Sequence, residues 1–115
     1  MTHEPGIGRC LTVLSCLGDW PGEALTFHAK LPLPDGPIRI EVSVKGATQQ
    51  FHVGPEGGPM QPAGPELDAG IISDEGGRGE HASFTGAFVG MLAHDLTGQG
   101  WTADFTRFDY IPQTL

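Results

Sequence analysis

The chain has few positive charges: 6 Lys and Arg stand against 14 Asp and Glu, which gives a formal net charge of -8 at pH 7. A surface of that sign repels phosphate groups, so we expect neither nucleic acid nor an anionic membrane as a partner. Long apolar runs are also missing, because no stretch reaches the roughly 18 residues that a membrane span needs. No signal peptide is expected either, since no basic segment precedes an apolar run. The charge does not argue against a neutral ligand.

Cysteine is scarce, and both copies lie close together in sequence. Cys10 and Cys16 fall in one predicted strand, whose rise would hold their Cα atoms roughly 20 Å apart. That distance is far beyond the reach of a disulfide. Two reduced thiols are typical of an intracellular protein, and we expect a cytoplasmic location.

Several motifs that carry chemistry are absent. The five histidines show no paired spacing of the kind that zinc sites use, and no serine lies in a Gly-x-Ser-x-Gly setting. The glycine clusters are not followed by predicted helices, which argues against a phosphate loop or a dinucleotide fingerprint. We therefore expect no catalytic residue, no metal ligand and no organic cofactor among these residue types.

Carboxylates are the exception, because four of them crowd one region. Asp68, Asp74, Glu75 and Glu80 lie in or beside the polar, glycine-rich loop Ser73 to Ser83. Paired carboxylates cleave glycosidic bonds, and clustered ones bind Ca²⁺. The spacing lacks the alternating acids of a dedicated calcium loop, and nothing fixes a pair on rigid elements. A solvated loop is the simpler interpretation; bound calcium stays open.

Glycine and proline are abundant, with 18 and 10 copies among 115 residues. The apolar residues between them form short segments at regular intervals. We therefore expect the glycines and prolines to form the turns between strands of an all-β protein. The length predicts one domain. Residues 1–8 carry little that could pack and are expected to be a disordered lead-in, which leaves residues 9–115 as a single β-sandwich domain.

Strand patterns fill the first half of that domain. Arg9 to Leu17 and Glu23 to Leu31 read as two strands, the second with Leu25, Phe27 and Ala29 on its apolar face. Ile38 to Val44 alternates apolar and polar residues and should pair with Gln49 to Val53 as a hairpin. Beyond it we expect a loop over residues 54–65 with a short strand at 60–61, and a helical turn at 69–73.

The second half is organised around Phe84 to Tyr110, which holds four of the six Phe, the only Tyr and one of the two Trp. Bulky apolar residues interrupted by glycine predict buried strands whose neighbours approach closely. We place these strands at Gly86 to Ala93 and Ala103 to Tyr110, joined by a turn at Leu96 to Gly100. A helix is disfavoured because Gly86 and Gly90 would each cost roughly 1 kcal/mol inside one.

Three aromatic residues have two possible roles. Trp20, Trp101 and Tyr110 lie near predicted strand ends, where an aromatic ring either closes the core or stacks on a sugar from an exposed position. The sequence leaves both roles open.

Four blocks of this chain resemble one known family in both order and spacing. They are Leu67 to Glu75, Phe84 to Met91, His94 to Gly98 and Ala103 to Tyr110. They are similar to the closing segments of the C-terminal domain of glycoside hydrolase family 43 β-xylosidases. The resemblance implies an antiparallel β-sandwich of concanavalin A-like, jelly-roll type. It covers only the second half of that domain, so the sandwich is expected to be truncated.

The resemblance also implies a role beside a sugar pocket. In the family a five-bladed propeller holds the catalytic carboxylates, and nothing in this chain resembles it. A loop of the sandwich carries a Phe toward the rim of the xylose pocket. The matching residue is Phe84, preceded by the loop Ser73 to Ser83. The chain departs from the family pattern at Met60, where an aromatic is usual, and at His94, which replaces Gln.

Half a sandwich leaves an edge or a face without a partner, which invites association. We therefore expect either a second copy of this chain, as a homo-oligomer, or a propeller-type catalytic domain as the partner. The leading functional hypothesis is a non-catalytic accessory module that supports assembly or shapes a xylan-derived carbohydrate site. The alternative is a free-standing carbohydrate-binding module. Candidate substrate-binding residues for a xylo-oligosaccharide are Phe84, Trp101 and Trp20.

Overall fold

A computed structural model describes residues 1–16, 25–73 and 87–114. These residues contain seven strands and one short 3-10 helix. The strands are β1 Thr2–Glu4, β2 Gly8–Ser15, β3 Thr26–Pro32, β4 Ile38–Lys45, β5 Thr48–Pro55, β6 Gln61–Pro62 and β7 Leu67–Asp68, and the helix is Ala69–Ile72. One antiparallel sheet has the order β1-β2-β3. The other has the order β4-β5-β6, with β7 also pairing with β5.

The first residues of the chain form a strand, whereas the sequence analysis expected them to be disordered. Thr2 pairs with Cys10 and Glu4 with Gly8, so β1 forms the edge of the first sheet. The turn between β1 and β2 uses left-handed φ angles at two glycines, where no Cβ opposes them. The Lys30 ammonium lies 2.8 Å from the Glu4 carboxylate and ties β1 to β3 across the sheet. The expected lead-in is therefore wrong for residues 2–4.

The ladder between β2 and β3 changes register within the sheet. Val13 lies opposite Ala29, but Leu14 lies opposite Phe27, so β3 carries one extra residue at His28. A bulge of this kind breaks the alternation of faces. Phe27, predicted to face the core with Ala29, is instead 67% exposed. The strand prediction is confirmed for residues 26–31, and the core prediction is wrong for Phe27.

The predicted hairpin is confirmed. β4 pairs with β5 from Ile38 opposite Pro55 to Lys45 opposite Thr48, which leaves a two-residue loop. The first loop residue, Gly46, has a φ of 60°, which glycine adopts without a steric cost. Local alternation and turn chemistry were sufficient to predict this pair.

The core lies between the two sheets. Leu11 and Val13 of β2 face Val53 of β5 and Ala63, and all four are buried. Partly buried side chains surround them: Ala29, Leu31, Leu33, Ile38, Phe51 and Leu67. The predicted all-β antiparallel sandwich is thereby confirmed.

One margin of this sandwich is open. Ile40 lies opposite Val53 in the ladder, so Ile40 and Val44 share the core face of the second sheet. They are nevertheless 48% and 50% exposed. Among the described residues β4 pairs with β5 alone, and its other edge has no neighbouring strand. The apolar face of β4 is thus only half covered.

The segment after β5 returns closely along that strand. The Ala63 amide donates to the Phe51 carbonyl at 2.8 Å, and the short strand β6 follows the predicted position within one residue. The predicted helical turn is present at Ala69–Ile72, where the Asp68 carboxylate accepts a hydrogen bond from the Gly70 amide at 2.7 Å. This bond caps the first turn of the helix.

Residues 87–114 carry no strand or helix. The two strands predicted there are therefore wrong for residues 87–93 and 103–110. The predicted burial is wrong too, since Phe88 is 83% exposed and Phe105 and Phe108 are also exposed. The physical reason is that a strand needs a neighbouring strand for its amide and carbonyl groups, and none of the described residues supplies one.

Candidate functional site

Two of the three predicted site residues, Phe84 and Trp20, lie outside the described residues. The same holds for Asp74, Glu75 and Glu80 of the polar loop. Their assigned roles stay predictions. The remaining candidates are Trp101 and Tyr110, together with Asp68 among the acids.

Trp101 lies at the surface with its ring uncovered. The side chain is 73% exposed. Its indole Nε1 donates to the Gln99 side-chain oxygen at 3.0 Å, which gives the ring one polar tether. Among the described residues Trp101 does not close a core. Its role in stacking on a sugar stays a prediction.

Asp95 builds the loop that carries Trp101. One carboxylate oxygen accepts from the Thr97 amide at 2.8 Å and from the Thr97 hydroxyl at 2.6 Å. The other accepts from the Gly100 amide at 2.9 Å and the Trp101 amide at 3.1 Å. Four donors thus converge on one side chain. Residues 95–101, held in this way, are called the Asp95 loop below.

The charge state of Asp95 follows from these bonds. The hydrogen bond from the Thr97 hydroxyl, assisted by the backbone amides of Thr97, Trp101 and Gly100, lowers the pKa of Asp95 to about 2. Donors that favour the ionised form always act in this direction. The loop is therefore held by a carboxylate that stays charged at any physiological pH.

Two glycines allow the loop to curl around that carboxylate. Gly98 and Gly100 have φ angles of 71° and 77°, in the left-handed region. A side chain at either position would strain the backbone. The sequence analysis predicted a turn here but missed Asp95. An Asp followed two residues later by Thr and then by glycines is a signal for such a side-chain-capped turn.

The structure does not bring the other candidates to this loop. Tyr110 is exposed, and Arg107 instead pairs with Asp109 at 2.6 Å. Asp68 belongs to the second sheet and caps the 3-10 helix. The suggestion of calcium at the acidic cluster stays a prediction, because three of its four acids are not described.

Met60, the position where the resemblance leads us to expect an aromatic, lines a shallow groove of about 280 Å³. The groove lies between the end of β3 and the loop before β6, and its walls include Pro32, Pro34, Pro55 and Gln61. None of its lining side chains is ionisable. The groove can make apolar contacts but supplies no acid, base or nucleophile.

Within residues 1–16, 25–73 and 87–114, no helix has the length and apolar character to cross a bilayer. The cytoplasmic location stays a prediction.

Comparison with known proteins identifies the family. The sequence model of one protein family, the β-xylosidase C-terminal concanavalin A-like domain, matches residues 1–111. Xylosidase/arabinosidase 43B of Humicola insolens is 38% identical over 118 residues, which cover 96% of this chain and 21% of that protein. Xylan 1,3-β-xylosidase of a Vibrio species is 32% identical over 104 residues, which cover 90% of this chain and 19% of that protein.

No solved structure matches the chain. The chain spans about a fifth of the length of the curated relatives that it matches. A family match over almost the whole chain, two antiparallel sheets around a common core and the four sequence blocks agree with one another. The chain belongs to the β-xylosidase C-terminal concanavalin A-like domain family.

Proposed function

We propose that this chain is a non-catalytic accessory module that associates with a propeller-type xylosidase catalytic domain and helps to shape its carbohydrate site. The observation that carries the proposal is the match of 96% of the chain to a fifth of a protein named as a xylosidase/arabinosidase. The remaining four-fifths of such a relative would contain the catalytic machinery.

The exposed apolar surface supports this role. In residues 87–114 the large exposed side chains are Phe88, Val89, Met91, Leu92, Leu96, Trp101, Phe105, Phe108, Tyr110 and Ile111. Exposed apolar side chains in this number are usually covered by a partner. The open edge of β4 adds unpaired backbone groups, which are a template for a further strand.

The absence of catalysis in the chain itself is part of the proposal. Asp68 is committed to capping a helix and Asp95 to its own loop. Glycosidic cleavage needs two carboxyl groups held on opposite sides of the bond. We expect the chain alone to leave nitrophenyl xyloside intact. Hydrolysis by the chain that disappears in Asp74→Ala would contradict this expectation.

The test of association uses the catalytic domain of a relative from which the corresponding C-terminal region has been removed. Light scattering should detect a complex with the 115-residue chain, and nitrophenyl xyloside hydrolysis by the domain should rise. Phe105→Ser and Phe108→Ser should weaken the complex, because they remove apolar contact area. Thr106→Ser, at an exposed residue next to Phe105, is the matched control.

Two results would contradict the proposed association. One is a well-folded monomer that shows no affinity for the catalytic domain at high concentration. The other is a stable homodimer that ignores the catalytic domain, which would make a second copy the partner.

A second candidate function is a free-standing carbohydrate-binding module. Trp101 favours it, because a large exposed ring on an ordered loop is a suitable platform for a sugar. Titration with a xylo-oligosaccharide, followed by tryptophan fluorescence, tests this candidate. No change at millimolar sugar would contradict it.

A further inference from the structure

We infer that the Asp95 loop forms a subsite for a neutral pyranose. The Trp101 ring stacks on the sugar, and the side-chain amide of Gln99 donates to one of its hydroxyls. This inference deepens the carbohydrate-binding candidate and rests on it. The accessory role does not depend on it, and the two fail in different experiments.

The loop is organised before any ligand arrives. Four hydrogen bonds to Asp95 span the whole loop, and the backbone N–H of Gln99 donates a fifth to the Thr97 hydroxyl at 3.2 Å. A site that is already ordered loses less conformational entropy when it binds. In the described residues on either side, 87–94 and 102–114, the side-chain contact is the ion pair of Arg107 with Asp109, so this network of bonds belongs to the stretch that carries Trp101.

The ring has the properties of a stacking platform. Trp101 is 73% exposed, and its indole N–H is already bonded to Gln99. The faces of an aromatic ring carry negative electrostatic potential, which attracts the weakly positive C–H groups on one face of a pyranose. The N–H bond restrains rotation of the ring, and stacking therefore requires little further ordering.

Gln99 supplies the polar part of the subsite. Its side-chain oxygen accepts the indole N–H, while its side-chain nitrogen carries two donors. That nitrogen donates to no other group within the described residues. A hydroxyl of a sugar stacked on Trp101 is a suitable acceptor, because the tether places the amide beside the ring.

The electrostatics favour a neutral ligand. The Asp95 carboxylate is the acid at the centre of the loop, and its lone pairs are used by four internal donors. The net charge of the chain is -8, which disfavours anionic sugars and phosphates. Asp95 is a positioning residue here, since it acts on the ligand only through Trp101 and Gln99.

The test is calorimetric titration of the full 115-residue chain with xylotetraose. Trp101→Ala should lower the affinity roughly tenfold or more, because it removes the stacking face. Gln99→Ala should lower it by a smaller factor. Phe88→Ala is the matched control, since it removes another exposed aromatic of the same segment and should leave the affinity unchanged.

Asp95 needs a readout that a purely structural role would not change. Asp95→Asn replaces one carboxylate oxygen by an NH2 group, which cannot accept the hydrogen bonds that this oxygen receives. The variant should therefore shift the emission maximum of Trp101 and weaken xylotetraose binding. Thr97→Ser, which keeps the hydroxyl, should preserve both. A Trp20→Phe background assigns the emission to Trp101.

The outcomes separate the hypotheses. Binding that persists unchanged in Trp101→Ala overturns the subsite but leaves a carbohydrate-binding function elsewhere in the chain. No binding by the wild-type chain overturns both the subsite and that candidate function, while the association with a catalytic domain is tested independently. Loss of affinity in Trp101→Ala and Gln99→Ala, but not in Phe88→Ala, supports the subsite.

Discussion

Residues 25–73 and residues 87–114 are both rich in apolar side chains, yet they behave differently. In the first region each main strand lies against another, and Val53 is 1% exposed. In the second region no ladder forms and Phe88 is 83% exposed. The comparison shows that strand-forming residues become strands only where a second strand is available to pair with them.

The Asp95 loop is the exception within the second region. Its order comes from hydrogen bonds that span at most six residues, so it needs no partner from another part of the molecule. Local structure thus survives where long-range pairing is missing. This is why the Asp95 loop is formed although the described segments on both sides of it are uncovered.

The largest expected effect comes from placing a charge in each region. Val53→Asp buries an ionised group between the sheets and should destabilise the chain by several kcal/mol, to the point of unfolding. Phe88→Asp, at an uncovered position, should change the free energy of unfolding by no more than about 0.5 kcal/mol. Circular dichroism during urea unfolding measures both.

Equal destabilisation by these two substitutions would remove the contrast between the regions. It would mean that Phe88 belongs to the same cooperative core as Val53.

A glycine pair sharpens the same comparison with a single methyl group. A Cβ at Gly54 would lie within 2.3 Å of the Pro59 carbonyl oxygen, whereas a Cβ at Gly90 would meet nothing within 4 Å. Gly54→Ala should therefore cost about 1–3 kcal/mol, the usual range for overpacking. Gly90→Ala should leave the thermal midpoint almost unchanged. A Gly54→Ala variant as stable as wild type would contradict the close approach of the β5 and β6 segments.

The smallest effect is expected from acid titration of the Asp95 loop. The pKa of Asp95 is lowered from 3.8 to about 2. The ionised carboxylate therefore stabilises the loop at any pH above 3.8, and this contribution is lost as the pH falls through about 2. Trp101 emission, read in a Trp20→Phe background, should stay constant down to that window and then change.

A transition in Trp101 emission near neutral pH would contradict this assignment. It would point to a different titrating group beside the ring.

The hairpin of β4 and β5 and the turn at Ala69–Ile72 could be predicted from sequence because their determinants are local. Alternation over eight residues and a glycine in the turn specify the first, and Asp68 specifies the second. The bulge opposite Leu14 could not be predicted. It depends on how β2 and β3 fit together, and a pattern within one strand does not show it.

The candidate site was predicted in part. Trp101 was identified from its residue type, but the side chains that hold it, Asp95 and Gln99, were not. Their role depends on backbone curvature at Gly98 and Gly100, which became visible only in the structure.

The amino-acid sequence by itself determined the family, the all-β class and the local turns, because these follow from residue order and short-range contacts. Only the tertiary structure decided that β1 joins the first sheet, that Phe27 turns outward and that residues 87–114 form no ladder. Each of these outcomes depends on which chain segment lies opposite another. Strand pairing is a long-range property, and the pattern within one strand does not name its partner.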